Sequence, residues 1–334
     1  MSLVPIDTYL RPLRPYLDQE GVVEISINRP GEIWVEKLGG GRGMERFEVP
    51  ELTFGHLHTL ARLLAQYSEQ EVSEETPLLS ATLPDRCRVQ VVLPPAVEAG
   101  TIGISIRKQA LLELSLDDYE KRGAFDHLNS PESTQQANDA LLDEFYRTGR
   151  YRDFLEVALL ARKNILISAG TSAGKTTFLN ACLKAIPVGE RIVTIEDARE
   201  IKPPQPNRLH LLASRGGQGR AKVTTQQLLE ASLRLKPDRI ILGELRGAEA
   251  FTYLRAINSG HPGSITTIHA DTPQLAFEQL ALMVIQADLG MGRVQVLEYV
   301  QSIVPIVVQL KRDSQGRRLI SEMAWDNYQI PQTL

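Results

Sequence analysis

Residues 164–186 read NILISAGTSAGKTTFLNACLKAI, and this run constrains the fold more than any other in the chain. NILIS is a short apolar stretch rich in β-branched residues. A loop of small residues follows, ending in Gly174, Lys175 and Thr176, and then a helical pattern. In a strand, loop and helix of this kind the loop's backbone N–H groups converge on the positive end of the helix, where a phosphate is held. Gly170, Thr171, Ser172, Ala173, Gly174, Lys175, Thr176 and Thr177 are expected around a nucleotide. Lys175 reaches the β- and γ-phosphates, and the Thr176 hydroxyl holds Mg²⁺. The full pattern G-x-x-x-x-G-K-[ST] asks for glycine at 169, where this chain has Ala169 followed by Gly170. Alanine narrows the backbone's freedom but removes no donor.

The surroundings fit that loop. From about residue 160 onward the short apolar runs NILIS, RIVTIE, RLHLL, RIILGE and SITTIH are mostly separated by helical segments. This is the pattern of a largely parallel sheet covered on both faces. The first ~125 residues differ. VVEISIN, a turn at RPGE and IWVE read as a hairpin, RVQVVLPP and GTIGISIRK as a second strand pair, and FGHLHTLARLLAQYSE as a helix. GGGRG at 39–43 reads as a loose loop between strands, and His56 and His58 as surface histidines. Between the halves, LNSPESTQQAND (128–139) is polar like a linker, and ALLDEFYRTGRYRDFLEVALLARK reads as two helices broken at Thr148–Gly149. The expected domains are 1–125 (α+β), 126–155 (linker with helices) and 156–334 (the α/β domain carrying the phosphate loop).

A phosphate loop predicts an acid at the end of a neighbouring strand. PDRIILGELRG supplies Glu244 about 70 residues downstream, after Gly243, whose missing side chain would leave room for the nucleotide. Glu244 is expected to align or deprotonate a water. Glu196 and Asp197 end RIVTIED, the next strand in sequence, and open on the same crevice. They are expected to position water or metal, Asp197 indirectly; the alternative for Asp197 is a helix cap.

Charge narrows the class. The net charge is −4 with no long basic run, which argues against a protein built to neutralise a nucleic-acid backbone, and no sequence-specific nucleic-acid binding is expected. The two cysteines, Cys87 and Cys182, lack metal spacing and read as reduced thiols. No signal-peptide core or membrane span is legible, so a cytoplasmic protein is expected.

Taken together, AGTSAGKTT, TIEDARE, ILGELRG and GHPGSITTIHA, in that order, resemble the type II/IV secretion and conjugation ATPases. NRPGEIWVE, PLLSATLPDRCRVQVVLPP and GTIGISIRK resemble the type IV branch in particular. The resemblance implies an α/β fold: a RecA-like P-loop NTPase C-terminal domain with a smaller α+β N-terminal domain of antiparallel sheet plus helices. It implies a homohexameric ring that hydrolyses ATP, with Mg²⁺, to power type IV secretion or conjugative transfer. The ring would work beside other secretion-system ATPases and inner-membrane components, peripherally at the cytoplasmic face of the inner membrane. The alternatives are a slow nucleotide-gated docking switch for secretion partners, or a type II secretion or pilus-type ATPase.

It further implies that ATP lies between the two domains, with Arg88 and Arg107 of the N-terminal domain reaching its phosphates. Some members of the branch place that domain over a neighbour's ATPase domain, and this chain is open to the same reading. In the resembled family His269 lies near the γ-phosphate, where an imidazole can sense nucleotide state and pass it to the helix starting near Pro273. His261, in the preceding turn with Gly260 and Gly263, is a weaker candidate for the same task. Neither histidine has the partners of a structural zinc site.

Overall fold

The computed structural model describes residues 4–41, 43–109, 115–126, 133–214, 221–287 and 290–325. The N-terminal half carries helices α1 (Val4–Leu10) and α2 (Arg14–Leu17), strands β1 (Val22–Ile27), β2 (Glu32–Lys37) and β3 (Glu45–Glu48), and helix α3 (Phe54–Tyr67). Strands β4 (Leu78–Thr82), β5 (Arg88–Val92) and β6 (Gly103–Arg107) complete a six-stranded sheet of order β3-β2-β1-β6-β5-β4. Every pairing in it is antiparallel. The α3 helix starts at Thr53, whose hydroxyl accepts the His56 amide. Its Leu57, Leu60 and Leu64 recur at helical spacing and are buried on Ile25, Ile27, Val89, Ile104 and Ile106 of the sheet. His56 is half-buried rather than a free surface group, its Nε2 lying 2.8 Å from the Tyr9 carbonyl oxygen.

Helices α4 (Leu116–Lys121), α5 (Ser133–Arg147) and α6 (Tyr151–Leu160) lead into the second half. The α5–α6 break falls at Gly149, where a φ of 73° turns the chain. Of the stretch expected to be a polar linker, residues 128–132 lie outside the described residues. From Ser133 onward it is already α5, in which Gln135 and Gln136 are exposed while Leu142 and Phe145 further along supply the buried stripe.

The second sheet is built from β7 (Ile165–Ala169), α7 (Lys175–Ala185), β8 (Ile192–Glu196), β9 (Arg208–Leu212), α8 (Thr225–Ser232), β10 (Arg239–Leu242), α9 (Glu249–Asn258), β11 (Ile265–Ile268), α10 (Pro273–Ile285), α11 (Arg293–Ile303), β12 (Ile306–Arg312) and β13 (Arg318–Trp325). Its order is β13-β12-β7-β11-β10-β8-β9, parallel except for the β12–β13 hairpin. Strands β7, β8, β10 and β11 are buried along their whole length, which is why they read as runs rich in apolar and β-branched residues. Successive side chains go to opposite faces. Ile165 and Ile167 pack with α6 and α7, and Leu166 packs into the cluster that holds α8 to α11.

The two sheets meet at the β9 edge. Val97 bridges Leu211, and the Leu212 amide donates to the Ala96 carbonyl at 2.8 Å. Beside them Arg191, fully buried, donates from Nη1 to Asn28 Oδ1 at 2.7 Å and also to Asn207, and from Nε to the Leu235 carbonyl at 2.9 Å. Asn28 ends β1, so one buried guanidinium joins the N-terminal sheet to the base of the parallel one. Burial pushes Arg191 down to about 10, against the opposing pull of the Glu24 and Asp238 carboxylates.

Candidate nucleotide site

All strands from β12 to β9 point the same way, so their C-terminal ends share one rim. At that rim β7 ends at Ala169 and the chain turns through Ser172 (φ 62°) and Gly174 (φ 95°) into α7. Gly174 is the helix's left-handed N-cap, so the free amides of the first turn face the loop. Lys175, the first residue of α7, folds back over β7. Its Nζ lies 3.4 Å from the Ala169 carbonyl oxygen, 3.0 Å from the His269 imidazole and 3.7 Å from Glu244 Oε1. Burial lowers the Lys175 pKa, and the Glu244 carboxylate works against that shift.

Glu244 follows β10 and His269 follows β11, which brings them together across adjacent strands: His269 Nε2 is 2.8 Å from Glu244 Oε1. Lys175 Nζ stands 3.0 Å from each of the two imidazole nitrogens, so the three side chains form one contact cluster. The other Glu244 oxygen accepts from Arg246 Nε and Nη2 at 3.0 and 2.9 Å, and Arg246 also holds Asp197 from the end of β8. Arg246 ties two acids of neighbouring strands to one exposed guanidinium. It stands inside the ILGELRG motif, and its place two residues after Glu244 was the signal for it.

Glu196 lines the same cavity, but its hydrogen bonds differ from the expectation. Its carboxylate is buried, and Oε1 accepts the Glu200 and Ile201 amides at 2.8 and 2.7 Å. With that oxygen it shapes the loop after β8, while Oε2 lies 3.5 Å from the Thr194 hydroxyl. Burial raises its pKa against those amides, which favour the charged form. That loop delivers Glu200, whose Oε2 accepts from the Thr176 hydroxyl at 3.1 Å. Glu200 closes the TIEDARE motif, four residues after Glu196, and only the path of the loop brings it to Thr176. Gly243 lines the same cavity, and a Cβ built there would lie 3.5 Å from Glu196 Cγ.

The resulting cavity of about 110 Å³ is lined by Lys175, Thr176, Glu196, Asp197, Glu200, Glu244 and Arg246. Thr176, Glu200 and Asp197 offer hard oxygen donors beside the phosphate loop, which suits Mg²⁺. A typical ligand pocket is ~300–1,000 Å³. This cavity is smaller than such a pocket and is bounded by the first turn of α7 and the ends of β8 and β10.

Arg88 and Arg107 lie elsewhere. They line a separate cleft of about 950 Å³ with Arg234, Lys236 and His261. Residues 233–238 precede β10 and 259–261 precede β11, so this cleft is at the N-terminal end of the parallel strands. The seat on β9 turns the ends of β5 and β6 to that side, and within one chain neither arginine joins the phosphate loop. His261 is likewise at the wrong end to join His269. Its Nδ1 lies 2.8 Å from the Pro237 carbonyl oxygen, and burial lowers its pKa. Gly263 serves packing, since a Cβ there would meet Arg239 Nη1 at 2.6 Å.

A parallel sheet of this order, with a phosphate loop after β7 and an acid after β10, defines a RecA-like P-loop nucleoside triphosphatase. The model of the Type II/IV secretion system protein family matches residues 8–324. The chain belongs to that family, and it is an ATPase. It is 41% identical to the type IV secretion system protein VirB11 of Bartonella henselae, covering 96% of this chain and 93% of that protein. It is 42% identical to the type IV secretion system protein PtlH of Bordetella pertussis, covering 94% and 92%. Its fold superposes on the crystal structure of the VirB11 ATPase of the Brucella suis type IV secretion system in complex with sulphate. That match has a TM-score of 0.89 at 36% identity, covering 97% and 95%.

Proposed function

We propose that this chain is one subunit of a homohexameric ring that hydrolyses Mg·ATP to power type IV secretion or conjugative transfer. The ring works at the cytoplasmic face of the inner membrane beside other secretion-system ATPases and membrane components. No helix among the described residues is long and apolar enough to cross a membrane. The observation that carries the reading is the convergence of Lys175, Thr176 and Glu244 on one small polar cavity, with His269 packed against Lys175 and Glu244.

The amides of Gly170 to Thr177 and the Lys175 ammonium hold the β- and γ-phosphates. Thr176, with Asp197 and Glu200 behind it, would hold Mg²⁺, which supplies charge neutralisation on the phosphate oxygens. Glu244 accepts a proton from, or orients, the attacking water. His269 gives up its Glu244 contact to donate to the γ-phosphate and returns when that phosphate leaves. Release of Glu244 is thus coupled to occupancy of the site.

Arg88 and Arg107 face away from their own phosphate loop, so they act on a neighbouring chain's nucleotide. Paired guanidinium donors there would stabilise charge on the transferred phosphoryl group. Mixing Arg107→Ala with Lys175→Ala chains under subunit exchange tests the shared site. Recovered ATP turnover is expected, and no recovery sinks the trans arrangement.

A further inference from the structure

The β12–β13 hairpin overhangs the phosphate loop. Strand β12 pairs with β7 in parallel up to Leu310 beside Ala169, the last residue before the loop. The hairpin then turns through Asp313 to Gly316 and returns at Arg318, opposite Arg312. It carries three arginines. Arg312 Nε donates to the Gly316 carbonyl at 3.3 Å, and Arg317 donates to Asp313 at 2.7 Å, so both are used in holding the turn. Arg318 has no acidic partner among the described residues. Its side chain lies against Gly174: a Cβ built on that glycine would be 2.8 Å from Arg318 Cδ, 3.3 Å from Nε and 3.6 Å from Nη1.

The two sides of the loop are therefore furnished differently. On the β11 side, Lys175 reaches His269 and Glu244, the groups suited to the terminal phosphate. On the β12 side stands one exposed, unpaired guanidinium. The cavity of about 110 Å³ lies on the first side, bounded by the first turn of α7 and the ends of β8 and β10. A cation fixed by a hairpin on the second side is left for the rest of the nucleotide.

We infer that Arg318 is a further nucleotide-binding residue, pairing its guanidinium with the α-phosphate. The inference rests on the GKT loop being the triphosphate site. It makes Arg318 a holder of ATP and ADP alike, since both keep the α-phosphate, and not a group specific to hydrolysis. A guanidinium also presents a planar pair of donors that an ammonium lacks.

The test is calorimetric titration of Mg·ATP and Mg·ADP into wild type, Arg318→Met, Arg318→Lys and Lys175→Ala, with steady-state turnover alongside. Methionine keeps the apolar stem, so the exposed hairpin should fold. Arg318→Met is expected to weaken ATP and ADP together by about tenfold. KM should rise with Kd, and kcat should fall far less than in Glu244→Gln. Arg318→Lys should recover part of the loss. Arg317→Met, from the same hairpin, should leave both affinities unchanged, which separates hairpin stability from ligand contact. Unchanged ADP affinity in Arg318→Met would overturn the assignment, as would a kcat loss at intact affinity. Failure of Lys175→Ala to weaken binding would instead overturn the reading of the loop itself.

Discussion

Replacing Glu196 by alanine separates two roles that a strand-end acid can have. In the structure the carboxylate is an acceptor for the loop after β8, taking the Ile201 amide at 2.7 Å and the Glu200 amide at 2.8 Å. Ile201 is buried, so its amide would be left without a partner, at a cost of about 1–3 kcal/mol. Glu200 is exposed, and water can replace its bond, which limits that loss to about 0.5–1.5 kcal/mol. Removing a desolvated carboxylate returns part of this, because its raised pKa shows that burial disfavours the charge. A net destabilisation of about 1–3 kcal/mol is expected for Glu196→Ala, read by urea unfolding at pH 7. Glutamine keeps one acceptor oxygen and should lose less than half as much. Because the loop presents Glu200 to Thr176 at 3.1 Å, Mg·ATP affinity should fall with stability in the alanine variant and be largely kept in the glutamine one. If Glu196→Gln were as stable as wild type yet lost turnover as severely as Glu244→Gln, the carboxylate would be acting on water or metal. The loop-shaping role would then be wrong.

Glu244→Gln should lower kcat by about 10²–10⁴ while Mg·ATP still binds, as single-turnover and equilibrium titration would show. His269→Ala should leave ATP affinity within a few-fold but uncouple turnover from secretion; unchanged turnover and secretion would end the sensor role. Buried His210, whose Nδ1 lies 2.7 Å from Thr194 Oγ1, is pushed down to about 3, by burial first and then by Arg199 and Arg208. Below about pH 6.5 the unfolded chain binds a proton that the folded chain refuses. Stability should therefore fall with acidification from there toward pH 3, by up to about 1.4 kcal/mol per pH unit from this group. Denaturant melts at pH 7.5 and 5.0 should show a smaller drop in His210→Gln. Glu190→Gln should destabilise by about 3–5 kcal/mol, because fully buried Arg239 is held by Glu190 at 2.6 and 3.0 Å and would lose its counter-charge. A thermal melt within a degree of wild type would refute that.

Local chemistry was legible without coordinates. The GKT turn, the mostly apolar strands and the strand-end positions of Glu244 and His269 each follow from short-range pattern, because a strand buried on both faces is largely apolar and its exit is where polar groups become frequent. The hairpin at RPGE and the break at Gly149 follow from backbone freedom in the same way. What those patterns could not carry is which polar group answers which. Glu196 and Glu200 are four residues apart, and only the loop's path decides that the first binds amides and the second takes the Thr176 hydroxyl. Arg318 lies over 140 residues from Gly174 and meets it only through the β12–β7 pairing.

The sequence by itself determined a phosphate loop at the rim of a parallel sheet, since strand burial, glycine backbone freedom and helix-end amides are properties of a few neighbouring residues. Where the N-terminal sheet sits was decided only by tertiary structure. Its strands are compatible with packing on either end of the parallel sheet. The choice falls to contacts between residues far apart in sequence: Val97 on Leu211, and Arg191 shared by Asn28 and Asn207. That choice sends Arg88 and Arg107 to the far end of the strands, because a buried guanidinium takes whatever acceptors the fold brings to it.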